Sequence, residues 1–134
     1  MATLTPEMKE MIASQQCFVA TVDADGNPNV APKRSTRVFN DNTLIFTEGT
    51  GGATYKNVLN GSRVAIGIVN REILDGYKFL GKSEVLAEGE IYERAAEMSL
   101  KMGMPKPKAV VLVHLDEIQS LKPGPMAGKT IVKD

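Results

Sequence analysis

The chain has 134 residues, 43% hydrophobic and 24% charged, the profile of one globular domain with room for a real core. Sixteen basic and sixteen acidic residues cancel to zero net charge, which argues against a nucleic-acid or anionic-membrane binder. One cysteine, Cys17, excludes an internal disulfide and a thiolate metal cluster and fits a reducing cytoplasm.

The opening residues are too acidic and too amphipathic for a signal peptide, and no apolar run approaches a membrane span. Thr5-Pro6-Glu7 is a helix start, with a capping hydroxyl, a proline at the first helical position and an acid in the first turn. Met8, Met11 and Ile12 then share a face, so Thr5–Gln16 reads as an amphipathic leading helix. Cys17–Asp23 is a strand, and Asp23 to Pro28 has the turn chemistry of a hairpin. Asn29–Phe39 resumes as a second strand with the basic centre Lys33, Arg34, Arg37. Asn40-Asp41-Asn42 turns the chain into a third strand, Thr43–Thr47.

That strand runs into a glycine-rich turn holding Gly49, Gly51 and Gly52, followed by a brief helix opened by Thr54 and closed by Asn60-Gly61. A glycine turn that delivers the backbone to a helix N-terminus leaves several N–H groups free beside a partial positive charge, a setting that suits a phosphate. The bland alternative is a tight connection with no ligand. In the next strand, Arg63–Asn70, bulk falls on Val64, Ile66 and Ile68, while Ala65 and Gly67 leave the other face nearly bare for a close neighbour or a flat ligand. Gly76–Ala87 is a long strand with Gly81 as a bulge. Glu90–Lys101 is a helix, apolar at Ile91, Ala95, Met98 and Met102. Ala109–Leu115 is the most buried-looking strand and continues less regularly to Leu121. The Pro/Gly-rich tail, residues 122–134, reads as irregular. About six hairpin-connected strands with a few short helices argue for a mainly β, small antiparallel barrel.

Three patterns are decoys. Gly124 to Thr130 mimics a phosphate loop but is one residue short between its glycines and has no helix after it. Gly49-Thr50-Gly51 lacks the third glycine and the parallel unit of a dinucleotide fingerprint. His114 sits in an apolar strand with no second histidine or nearby cysteine, so it reads as a packed or interface residue.

The basic strand Lys33 to Arg37 would run antiparallel to Thr43–Thr47 and bring its charges to one mouth of the barrel. A solvated edge strand explains the same charges. Lys56 in the first turn of the short helix would oppose the helix dipole unless an anion neutralised it. Together with the order of elements, these features resemble the flavin-binding split-barrel superfamily, the pyridoxamine 5′-phosphate oxidase-like proteins. The leading helix, Asp25-Gly26, the basic second strand, Phe46-Thr47, Asn60 to Val64 and Gly81 to Val85 carry the likeness over nearly the whole chain.

The resemblance implies a Greek-key-like split β-barrel of about six strands and a homodimer holding FMN at the subunit interface. It places Lys33, Arg34, Ser35 and Arg37, the pair Phe46-Thr47, and Glu48-Gly49 around the flavin. The phosphate grip of the family falls on Gly52, Ala53 and Thr54, where its usual Arg and Lys are missing. Backbone N–H groups, the Thr54 hydroxyl, Lys56 and the second-strand cations would then hold the phosphate. No residue stands out as an acid or base, so the expected activity is electron or hydride transfer through the flavin. The tail from Lys122 would cap the partner's flavin. A non-catalytic store for flavin, deazaflavin or haem, with His114 as the one available haem-ligand histidine, and a bare structural dimer are the alternatives.

Overall fold

The computed structural model describes residues 1–134 as a mainly β protein of eight strands and three short helices. The helix α1 (Pro6–Ser14) starts where its cap chemistry requires, with the Thr5 hydroxyl accepting from the Met8 N–H at 3.3 Å. Its face of Met8, Met11 and Ile12 is buried in the main core, each side chain contributing about 1.5–3 kcal/mol by leaving water. The strands β1 (Phe18–Val22) and β2 (Pro28–Pro32) form a hairpin whose turn is held by Asp23, which accepts from the N–H groups of Asp25 and Asn27.

Next come β3 (Arg37–Asn40), β4 (Thr43–Glu48), the seven-residue helix α2 (Ala53–Leu59), β5 (Arg63–Asn70) and β6 (Asp75–Leu86). The helix α3 (Glu90–Lys101), β7 (Ala109–Ser120) and β8 (Thr130–Lys133) complete the chain. All pairings are antiparallel, in the order β2-β1-β5-β6-β7-β4-β3, with β8 added to β7. The terminal strands of that order, β2 and β3, do not pair, so the sheet curls around a core without closing into a barrel.

Three expectations need correction. The segment Asn29–Phe39 is two strands, because Lys33–Thr36 is a turn: the Thr36 N–H and hydroxyl both donate to the Lys33 carbonyl, at 3.0 and 2.8 Å. The tail is not wholly irregular, since β8 pairs with β7 and Val132 packs against the core. These two changes turn six strands into eight. Finally, α3 faces the sheet with Tyr92, Ala95 and Ala96, against Ile45, Val110 and Leu112 on its outer surface, while Met98 and Met102 are exposed.

The bulge at Gly81 is where the alternation of β6 requires it, at the register shift between Leu80 and Gly81 opposite β7. A Cβ at Gly81 would lie 2.2 Å from the His114 carbonyl oxygen, which is backbone and cannot turn aside. Gly81→Ala should therefore cost about 2 kcal/mol by urea unfolding, within the range for overpacked sites. An unchanged midpoint would show that β6 slides past β7 freely. Cys17 is buried in the core, and burial pushes its thiol up to about 11. In the native protein it should resist a thiol reagent at pH 8, reacting only as fast as the fold opens; rapid labelling would place it at the surface.

Candidate functional site

The turn Lys33–Thr36 and the end of β4 lie side by side, and the loop following α3 comes up against both. Ser35 joins the first two: its Oγ accepts from the Thr47 N–H at 2.9 Å, and its carbonyl accepts from Arg37 Nη1 at 3.1 Å. Tyr92 holds the third in place, its hydroxyl donating to the Pro107 carbonyl at 2.6 Å. Between them runs a two-lobed cleft. The lobe of about 400 Å³ has Arg34, Ser35, Arg37 and Thr47 on one side and Ala95, Met98, Met102 and Met104 on the other. The lobe of about 330 Å³ continues past Lys33, Glu48, Gly49 and Thr50 to Met104 and Pro107. A separate groove of about 700 Å³ lies between the C-terminal end of α1 and the same basic segment.

Of the residues singled out in the sequence, the cleft brings together Lys33, Arg34, Ser35, Arg37, Thr47, Glu48 and Gly49. Phe46 is fully buried in the core, as alternation along β4 demands once Thr47 faces out. Gly52, Ala53, Thr54 and Lys56 do not line the cleft. Gly52, not Thr54, precedes the first turn of α2. Thr54 is buried and its hydroxyl accepts from Asn29 Nδ2 at 3.2 Å, tying α2 to β2. Lys56 lies in the last turn of so short a helix, where a cation is favoured, so the expected conflict with the dipole is absent.

The charges in the cleft are unevenly matched. Lys33 Nζ donates to Glu48 Oε2 at 3.0 Å, and Glu48 Oε1 accepts from the Gly51 N–H at 3.3 Å. Arg34 and Arg37 have no carboxylate partner; Arg37 bonds only the Ser35 carbonyl, and burial pulls its guanidinium below the ordinary value. His114 is elsewhere, on the outer face of β7, with Nε2 2.8 Å from Glu84 and Nδ1 3.4 Å from Thr43. The methionine wall escaped the sequence reading because Met98 and Met102, four apart on a helix, fit an apolar core stripe equally well. Their exposure, 49% and 74%, follows from where α3 settles on the sheet.

Residues 4–122 match the pyridoxamine 5′-phosphate oxidase family over most of the chain. The chain belongs to that family. Among the relatives of this pyridoxamine 5′-phosphate oxidase-like chain is HupZ from Group A Streptococcus, 44% identical, with a TM-score of 0.84 over 93% of this chain and 99% of that one. An uncharacterized protein of Methanocaldococcus jannaschii is 36% identical over 98% of this chain and 89% of its own length. The fold alone is shared with an FMN-binding protein of Syntrophomonas wolfei, at 18% identity, a TM-score of 0.68, and 84% and 82% coverage. No helix of this family member is long and apolar enough to cross a membrane.

The cleft fits the ring and charged edge of a flavin: Arg34 and Arg37, without carboxylate partners, line it together with an adaptable thioether wall. The glycine turn is already partly occupied, because the Gly51 N–H and the Lys33 ammonium are engaged by the buried Glu48 carboxylate; the Lys108 stem lies against Gly51 with no carboxylate partner. Nothing in the cleft resembles a nucleophile with its base. What it offers is shape, apolar contact and positive potential.

Proposed function

We propose that this chain binds a flavin, FMN in the first instance, in the cleft between Lys33–Arg37 and the C-terminal end of α3, and works as an oxidoreductase or electron carrier. The observation that carries this reading is the pair Arg34 and Arg37, both without carboxylate partners, opposite Met98, Met102 and Met104. Family membership and the FMN-binding neighbour of the same fold support it.

When bound, the flavin supplies the electron or hydride chemistry. The chain's own residues bind and tune. Met98, Met102 and Met104 present thioethers that adapt to a flat ring and exclude water from its face. Arg34 and Arg37 raise the potential at the cleft, favouring any negative charge added there. Ser35 fixes the turn that carries Arg34 and leads into Arg37 at the start of β3, by accepting from the Thr47 N–H.

A homodimer belongs to the same proposal. The outer face of β1, β2 and β5 carries Phe18, Val22, Val30 and Val69 to the surface beside Gly67, an apolar face that a second copy would cover. The pairing of β8 with β7 leaves the tail, residues 122–134, anchored to its own sheet, so any capping of a partner's flavin falls to residues 122–129.

The test is a titration of the purified protein with FMN, riboflavin, a deazaflavin and haemin, followed by flavin fluorescence and visible absorbance. Quenching with saturable micromolar FMN binding, then bleaching on addition of NADH or NADPH and recovery with an acceptor, is the expected result. Binding of haemin alone, or of none of the four, would overturn the reading.

A further inference from the structure

Glu48 is the one acidic side chain of this chain that is wholly buried, and its carboxylate bridges two different turns. One oxygen takes the ammonium of Lys33, at the start of the basic turn; the other takes the N–H of Gly51, in the glycine turn. Its backbone carbonyl accepts from the Lys108 N–H at 2.8 Å, so the loop that carries the cleft's third wall is tied to the same residue. Alternation along β4 explains why the side chain is inside: Leu44, Phe46 and Glu48 face the interior, and Thr43, Ile45 and Thr47 face out. A carboxylate driven inward by strand register must be neutralised on the spot, and Lys33 with Gly51 does so.

Both are donors that a ligand phosphate at the glycine turn would otherwise draw on. We infer that Glu48 is the resident anion of that turn: it fills the position of a phosphate from within and excludes a second anion there. Arg34 and Arg37, without carboxylate partners, are consequently the cations on the methionine side that can receive a ligand's negative group, with Lys106 further along the cleft. Glu48 thus sets specificity, directing an anionic ligand to the methionine side of the cleft and away from α2. A phosphate brought to Gly51 would face a fixed negative charge at close range, with little water between to screen it.

The inference deepens the flavin reading by naming where a phosphate cannot sit. Its test uses inorganic phosphate, so failure to bind flavin counts against that reading alone. Amide and arginine side-chain NMR signals are followed during phosphate titration of the wild-type protein and of Glu48→Gln. In the wild type, the Arg34 and Arg37 signals should move and Gly51 should not. In Glu48→Gln, which removes the negative charge while keeping the side chain's size and one acceptor oxygen, phosphate should displace that neutral amide and Gly51 should shift saturably, with a gain in affinity of about tenfold or more. Lys33→Met combined with Glu48→Gln should lose most of that gain.

Saturable movement of Gly51 in the wild type with the affinity seen in the variant would overturn the inference, as would a folded Glu48→Gln whose Gly51 ignores phosphate. The wild-type arm decides even if the variant does not fold: Gly51 moving with the arginines refutes the assignment, and arginines moving without Gly51 uphold it.

Discussion

Lys33→Met is expected to destabilise the protein by about 3–5 kcal/mol, the usual result of removing one member of a buried ion pair. The side chain of Glu48 is 1% exposed and that of Lys33 16%, so the two losses are not equivalent. Without Lys33 the carboxylate keeps only the Gly51 N–H and is left buried with no cation beside it. Without the charge of Glu48, the lysine stem can swing its ammonium to solvent. Lys33→Met should therefore lower the melting temperature by about 10 °C or more, and Glu48→Gln by much less. Replacing both, as Lys33→Met with Glu48→Leu, should recover most of the loss, because no charge is then left buried. Urea unfolding of Lys33→Met, Glu48→Leu and the double variant gives the coupling directly. Single variants within about 0.5 kcal/mol of wild type would mean the pair is solvated in solution.

The second large effect concerns binding. Arg34→Gln with Arg37→Gln should weaken FMN by about 100-fold or more, since a charge-assisted hydrogen bond contributes about 1.5–3 kcal/mol and two are removed. Arg34 is exposed and carries no partner, so its replacement should leave the fold intact. Arg37 is half-buried with one backbone bond, and its replacement should cost a little stability as well. Lys56→Gln is the matched control: the same charge is lost on the exposed last turn of α2, and affinity should hardly change. Loss of affinity in Lys56→Gln equal to that of the arginine pair would move the anion site back to the glycine turn. Raising the salt concentration should mimic the double variant in part, since exposed guanidiniums are screened.

Much of this architecture is legible in local signals. Thr5-Pro6-Glu7 marks the start of α1, the Asp23 turn marks the first hairpin, and the alternation of Val64, Ile66 and Ile68 marks β5 with its inner face. Each depends on neighbours within a few residues, so single-chain chemistry suffices. Gly81 is of the same kind: a glycine inside a long alternating run implies a bulge, and the close approach of the His114 carbonyl supplies the reason.

The errors share a cause. Lys33 to Thr36 reads as strand because its residues tolerate one, yet the ends of β2 and β3 belong to opposite edges of the sheet and the chain must bend to reach both. Met98 and Met102 read as core because periodicity finds a face but not its direction. Thr130–Lys133 reads as coil because a strand this short is stabilised by its neighbour β7, not by its own composition.

Residue type and spacing alone established the mainly β fold, the leading helix and the concentration of cations at Lys33 to Arg37, because these are written in nearest-neighbour sterics and in the period of apolar residues. Which of those cations remain free is a matter of long-range register. Strand β4 turns Glu48 inward beside Lys33, fifteen positions earlier in the chain, and so removes one lysine and one glycine N–H from the list of available donors. Charge pairing across such a separation depends on how strands meet, which local periodicity does not report.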